Sequence, residues 1–408
     1  MVVLVHGIVA YGGVWARMQQ QLEQDYIAIS PNGRKCRLMT MVSRSFSLHR
    51  SLVGIAPTAN RLTKELKQFF SKQVQRAINA DATTIHLSIM AHSMGGLVAR
   101  AALPSLCPDA RCSPLRAMLQ TSSAVEIQPT SFITVGTPHL GVRPGRVKGF
   151  FGNLRKWLIH MSRPFGSSVR ELLLNDVLPS AHQEIKQLDD ESGIIRSQSY
   201  MIREMSSPQY LSALEHFSFR TLIGHQHDLI VPVTSSVMDP VREDLKANSG
   251  TLVSITRMEG FDSQFEKQLQ KKLVIWNEGK RASACMRLPA VREKDVSIAS
   301  TFSSSQKSMS DVCIEEMLVK RLRQKSGIEL HQMHENQMEY DPAVLKAVTS
   351  MSWRRLVLDY GGSSNMLTHL FIHNAQIGAL LPLPSFQAVS VRLLSELIMT
   401  DFKDAMGQ

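Results

Sequence analysis

The segment Ile89-Met90-Ala91-His92-Ser93-Met94-Gly95-Gly96-Leu97-Val98 constrains the fold more than any other stretch of the chain. A short apolar run ends in a serine set among small residues, and a helix-like pattern follows. This is the sequence form of a strand–turn–helix corner with a serine at its apex. Such a corner forces its central residue into strained backbone angles, and large side chains two positions either side would clash. Ala91 and Gly95 are small where smallness is required, with Ala91 a mild departure from the usual glycine. A serine that merely opened a helix would explain Ser93 but not the doubled Gly95-Gly96.

The flanking sequence supplies the alternation that this corner needs. Val2–Val5 reads as a buried strand, and Val14–Gln24 follows at helical spacing. Asn60–Ile78 predicts an amphipathic helix with Leu62, Leu66, Phe69, Phe70 and Val74 on one face. Thr84–Met90 feeds the corner, and Leu97–Leu106 leaves it as a helix. Further strands are expected at Ser131–Val135, Phe219–Ile223, Thr251–Thr256 and Arg354–Tyr360. Strands alternating with helices predict an α/β class with a mostly parallel sheet and helices on both faces.

Two segments break the rhythm. Residues from about 143 to 214 read as a mostly helical cap insertion within a first part, 1–276. Residues 277–310 are polar and Ser-rich, including Ser303-Ser304-Ser305, and read as a disordered excursion. The remainder, 311–408, is expected to return to the same core with its last strand and a terminal helix. One or two edge strands ordinarily precede the strand that carries His6-Gly7. Here that strand starts at Val2, so those edge strands are expected to be missing.

At 408 residues the chain is long enough for one large domain with additions, or for two. It holds no run of about 20 uncharged apolar residues of the kind that spans a membrane. The five cysteines, Cys36, Cys107, Cys112, Cys285 and Cys313, show no metal-ligand spacing. With no secretory signal, their odd number favours free thiols in a reducing, cytoplasmic compartment. The net charge of +11 permits attraction to anionic surfaces, but no nucleic-acid motif accompanies it.

Acyl transfer by serine needs a hydroxyl, a base, an acid that orients the base, and donors for the oxyanion. Ser93 supplies the hydroxyl. The N–H of Met94 and the N–H of Ile8, after Gly7 in the loop leaving the first strand, are the expected oxyanion donors. Gly7, Gly95 and Gly96 permit close backbone approach. His6 reads as a hydrogen-bonding member of that loop rather than as a base. Asp228 follows an apolar strand and is the expected acid, although a plain turn cap explains the same residue. Asp239, Asp244 and Asp262 follow no strong strand. His225 and His227 lack a third metal ligand nearby, so neither metal nor cofactor is expected. The base is expected at His373, with His369 as the alternative. The order serine, acid, histidine is that of hydrolases built on this corner.

Together these residues resemble the serine esterase family of the α/β-hydrolase superfamily, the eukaryotic lipase-like group that includes the yeast Rog-type lipases. Val2-Val3-Leu4-Val5-His6-Gly7 is similar to its opening strand and loop. Gly54-Ile55 with Arg61-Leu62-Thr63-Lys64-Glu65-Leu66 is similar to the helix before the strand that carries its serine. Thr137-Pro138-His139-Leu140-Gly141 resembles its most discriminating signature. Asp228 with Val231, Thr234, Ser235 and Ser236 resembles its acid loop, and Trp353 with His373-Asn374 its closing strand and base. The resemblance spans roughly residues 1–240 and 350–380. It implies a serine-dependent carboxylic ester hydrolase acting on acyl lipids. His139 is then expected to brace the wall of the site.

Within the insertion, Val147–Leu158 interleaves aromatic and aliphatic residues with Lys148, Arg155 and Lys156. Such a segment is expected either to act as a lid at a lipid–water interface or to pack as a plain cap. Peripheral contact with membranes or lipid droplets follows from the first reading. An acyltransferase, a thioesterase or a non-catalytic interaction protein on the same fold are the rival readings.

Overall fold

The computed structural model describes residues 1–8, 10, 12–29, 37–106, 125–142, 167–172, 201–226, 228, 231–239, 253–282, 342–360 and 384–407. Seven strands form one sheet: β1 (Val2–Val5), β2 (Thr40–Val42), β3 (Thr84–His92), β4 (Glu126–Val135), β5 (Phe219–His225), β6 (Ser254–Glu259) and β7 (Arg354–Asp359). Their spatial order is β2-β1-β3-β4-β5-β7-β6. All neighbours pair in parallel except β6 and β7, which are antiparallel. The described helices are α1 (Ala16–Ile29), α2 (Ile55–Ile78), α3 (Met94–Leu106), α4 (Ser167–Leu172), α5 (Met201–Glu204), α6 (Pro208–Glu215), α7 (Val233–Ser236), α8 (Ser263–Ala282), α9 (Pro342–Thr349) and α10 (Pro384–Ala405).

The strand sequences divide themselves between two cores, as a period of two requires. Val3, Val5, Ile89 and Ala91 face a core completed by α2, α3, α6 and α9. Val2, Leu4, Met90, Ile133 and Leu356 face a second core completed by α1, α8 and α10. In α2, Leu62, Leu66, Phe70 and Val74 recur every four residues and are all buried. The sheet is therefore covered on both faces, as the alternation of strands and helices predicts.

Differences from expectation have local causes. β4 begins at Glu126 rather than Ser131, running through Pro129. The register slips between Leu87 and Ser88, leaving Thr130 unopposed, and proline is tolerated in a strand at such a bulge. β2 is a three-residue edge strand that composition alone does not reveal. The last-but-one strand runs Ser254–Glu259, three residues later than expected, and closes the far edge antiparallel to β7. The buried Asp401 of α10 accepts bonds from Ser131 Oγ on β4 and Arg354 Nη2 on β7, both at 2.7 Å, and ties that helix to the sheet.

α2 starts at Ile55, five residues earlier than its hydrophobic spacing indicates, because its first turn is capped from elsewhere. Ser168 Oγ on α4 accepts the Gly54 N–H at 2.7 Å, and Glu171 Oε2 accepts the Ile55 N–H at 2.5 Å. A carboxylate at that end also meets the positive pole of the helix dipole.

The chain divides into two compact units, Met1–Asn277 with Gln337–Gln408, and Glu278–Asn336. The Ser-rich stretch was expected from 277, but residues 277–282 are the end of helix α8, where Asn277 Oδ1 accepts the Val253 N–H. Residues 283–310, the Val147–Leu158 segment, Asp244, His227, His369 and His373 lie outside the described residues. Within the expected insertion, Met201, Ile202, Met205, Leu211 and Leu214 are buried in the same core as α3. No helix among the described residues is long and apolar enough to cross a membrane.

Candidate active site

Ser93 stands between the end of β3 and the start of α3, with φ of +53°. A non-glycine residue in the left-handed region is strained by about 1–2 kcal/mol, so its neighbours must hold it there. They do so by backbone contact. The Ser93 N–H donates to the Val135 carbonyl of β4 at 2.9 Å, and the Gly96 N–H to the Ser93 carbonyl at 3.0 Å. A Cβ on Gly95 would overlap the His6 carbonyl oxygen, and one on Gly96 would overlap the Thr137 side chain. A Cβ on Gly7 would lie 2.9 Å from Ser93 Cβ. The three glycines thus let the β1 loop, the β4 loop and α3 converge on one serine, which is 8% exposed.

Both candidate oxyanion donors belong to this convergence. Met94 occupies the first position of α3, where the N–H has no intrahelical acceptor. Ile8 follows Gly7, packed over Ser93, and is itself partly buried against the core.

The loop Thr137–Gly141 is held by side chains. Arg100, seven residues past Ser93 on α3, is fully buried. Its Nη1 donates to His139 Nδ1 at 3.0 Å and its Nη2 to the Met205 carbonyl at 3.2 Å. A guanidinium only donates, so His139 Nδ1 accepts and the ring proton sits on Nε2, directed at Thr134 Oγ1 at 2.9 Å. Burial, then the Arg100 charge, pushes the His139 pKa well down, so the ring is neutral. Burial draws Arg100 down to about 10, which still leaves it charged at neutral pH. Beyond His139, Ser235 Oγ on α7 accepts the Leu140 N–H at 3.1 Å and donates to the Gly141 carbonyl at 2.7 Å. The loop therefore joins the helix after Ser93 to the helix after Asp228.

Asp228 follows β5, two strands from β3 in the sheet. Its side chain is 1% exposed. Oδ1 accepts the Val231 N–H at 2.9 Å, the turn cap that the sequence also allows. Oδ2 faces His225 Nδ1 at 3.6 Å. The His225 ring in turn lies 5.4 Å from that of Tyr360, at the end of β7. Burial foremost, with the Asp228 charge adding, raises the Tyr360 phenol, which stays neutral and accepts a bond from Ser390 Oγ at 3.2 Å. The two other acids weighed in the sequence that are described are engaged elsewhere. Asp239 pairs with Arg257 at 2.5 Å, and Asp262 Oδ1 accepts the N–H groups of Gln264 and Phe265 at the start of α8.

Ser93, Gly7, Ile8, Met94, Gly95 and Gly96 are thus gathered at one corner, with Asp228 at the same carboxyl-end edge of the sheet, where open α/β sheets bind ligands. Arg100, Thr137 and Ser235 were not among the expected site residues. Arg100 carried a signal, since it interrupts the apolar run Leu97-Val98-Ala99…Ala101-Ala102-Leu103. Ser235 was marked only through the resemblance of its loop, and its bonds were not, because its partners lie 94 and 95 residues away. Among the described residues no cluster of three or more His, Cys, Asp or Glu is placed to hold a metal ion.

Solved structures to which this chain is similar include phospholipase PlaB from Legionella pneumophila in complex with thio-NAD, 12% identical with a TM-score of 0.32 over 58% of this chain and 44% of that one. An extracellular α/β-hydrolase from Paenibacillus is 13% identical with a TM-score of 0.20, over 57% and 79%. The thioesterase domain from the curacin biosynthetic pathway is 16% identical with a TM-score of 0.23, over 57% and 78%. The chain spans less than half the length of the phospholipase. No curated protein matches it. The family model described as "Putative serine esterase (DUF676)" matches residues 1–239, more than half of the chain, and the chain belongs to that family.

Proposed function

We propose that this protein is a serine-dependent carboxylic ester hydrolase of lipase type, acting on acyl lipids through an acyl-enzyme on Ser93. The observation that carries the reading is the left-handed Ser93 at the β3–α3 corner, with backbone packed around it at Gly7, Gly95 and Gly96. Strain at such a position is retained where geometry serves chemistry. In the proposed cycle Ser93 Oγ attacks the ester carbonyl and the oxyanion is received by the Ile8 and Met94 N–H groups. His373 takes the serine proton and returns it to the leaving alcohol, and Asp228 orients the imidazole. Water then repeats the sequence to release the acid. His369 takes the role of His373 in the alternative assignment. The Rog-type lipase subgroup, a cytoplasmic location and contact of Lys148, Arg155 and Lys156 with a lipid surface belong to the same proposal.

A fluorophosphonate probe is expected to label the wild-type protein and to leave Ser93→Ala unlabelled. A panel of phospholipid, acylglycerol and short-chain esters then ranks the substrate class. Folded wild type that neither reacts with the probe nor turns over any ester would sink the reading.

A further inference from the structure

The end of β1 carries a histidine that the proposed cycle does not use. His6 is fully buried. Its ring lies 4.4 Å from that of Phe46, with Nδ1 2.9 Å from the Gly7 carbonyl oxygen and Nε2 3.4 Å from Ser47 Oγ. A carbonyl oxygen only accepts, so Nδ1 carries the proton. Burial lowers the His6 pKa to about 4, so the ring is neutral at physiological pH and Nε2 is an acceptor. The one proton of the Ser47 hydroxyl can go either to the Arg44 carbonyl at 3.2 Å or to Nε2 at 3.4 Å, and the second orientation matches this tautomer.

The bond at Nδ1 has a consequence one atom group further on. The Gly7–Ile8 peptide is trans, so the Gly7 C=O and the Ile8 N–H point in opposite directions within one plane. Fixing the carbonyl fixes the N–H. Glycine alone would leave that plane free to rotate, because its two dihedrals are the least restricted of any residue. The rest of the strand end is already immobile: the His6 carbonyl abuts Gly95, and Gly7 abuts Ser93.

We infer that His6 is a positioning residue, whose Nδ1–H clamps the Gly7 carbonyl so that the Ile8 N–H is preset for the oxyanion, with Ser47 selecting the tautomer. The inference rests on the reading of Ser93 given above. Donors of this kind act on charge that develops only in the transition state, so misorientation falls on kcat and not on KM.

The test compares three variants with wild type on a p-nitrophenyl ester. His6→Phe keeps a ring against Phe46 but has no donor at the δ position. His6→Asn places an amide Nδ2 on Cγ, the same bonded position as Nδ1. Ser47→Ala removes only the tautomer partner. His6→Phe is expected to lower kcat about 10- to 100-fold with KM within about twofold, short of the roughly 10²–10³ lost when a donor is removed outright. His6→Asn should regain most of that loss, and Ser47→Ala should lower kcat a few-fold. A wild-type kcat in His6→Phe, or equal losses in His6→Phe and His6→Asn, would overturn the inference. If His6→Phe does not fold, Ser47→Ala decides, and an unchanged kcat there overturns it. Wild type that shows neither turnover nor probe labelling fails at the level of Ser93 and takes this inference with it. A wild type that works beside variants that work equally well removes His6 alone.

Discussion

The corner at Ser93 and the loop at Asp228 are held in place by opposite means. Around Ser93 the structure depends on side chains that are absent: backbone meets backbone at Gly7, Gly95 and Gly96. Around Asp228 it depends on side chains that are present, through the Asp228–Val231 turn bond and the two Ser235 bonds to the 137–141 loop. Close-packed backbone has no small adjustment available, whereas a network of hydrogen bonds loosens one bond at a time. The first region should therefore respond to mutation as a threshold and the second in graded steps.

The most severe test of that contrast is Gly95→Val. Its Cβ has no room beside the His6 carbonyl, so soluble folded protein and probe labelling should both be lost. A folded, labelled variant would show that the corner relaxes. Next is Asp228→Asn, in which the amide oxygen still accepts the Val231 N–H while the negative charge is gone. The melting temperature should barely move, while kcat falls by about 10⁴, the scale set by the same change in another triad. Wild-type activity there would leave Asp228 a turn cap and nothing more.

Acid titration comes third. His6 has a pKa of about 4 in the folded protein against 6.5 in the unfolded chain. Between those values the unfolded state binds more protons, so stability rises with pH and is lost as pH falls from 6.5 through 4. The neutral His139 acts in the same direction. Urea unfolding at pH 7.5 and pH 4.5 should differ by on the order of 2 kcal/mol from His6 alone. His6→Asn should reduce that difference, and an undiminished slope would move the acid sensitivity elsewhere. The smallest expected effect is that of Ser235→Ala, about 1–2 kcal/mol for two buried bonds, read by urea unfolding at pH 7.5. A collapse as complete as that of Gly95→Val would erase the distinction between the two regions.

The same contrast explains what the sequence made legible. The corner was readable because its requirements are local: small residues at fixed offsets, a strand before and a helix after. Strand alternation fixed the two-faced sheet for the same reason. The support of Asp228 was not readable, since Ser235 bonds to residues 94 and 95 positions away and nothing in its neighbourhood announces that. The direction of β6 was equally hidden, because composition reports that a strand is buried but not which way it runs. β2 was too short to leave a pattern. Arg100 lies between these cases, visible as a charge in an apolar helix yet with its partners set by the fold.

The cap of α2 bears on how separable the parts of this protein are. Glu171 and Ser168 reach the first turn of that helix from 116 and 114 residues downstream, and the Leu172 carbonyl accepts the Val142 N–H at 2.7 Å. Excising residues 143–200 would therefore not leave the remaining core intact. It would unseat the start of the longest described helix under the sheet, and its harm would register as faster unfolding, because a contact of such long sequence separation closes late. What looks along the chain like an optional insertion is, at α4, a fastening of the core itself.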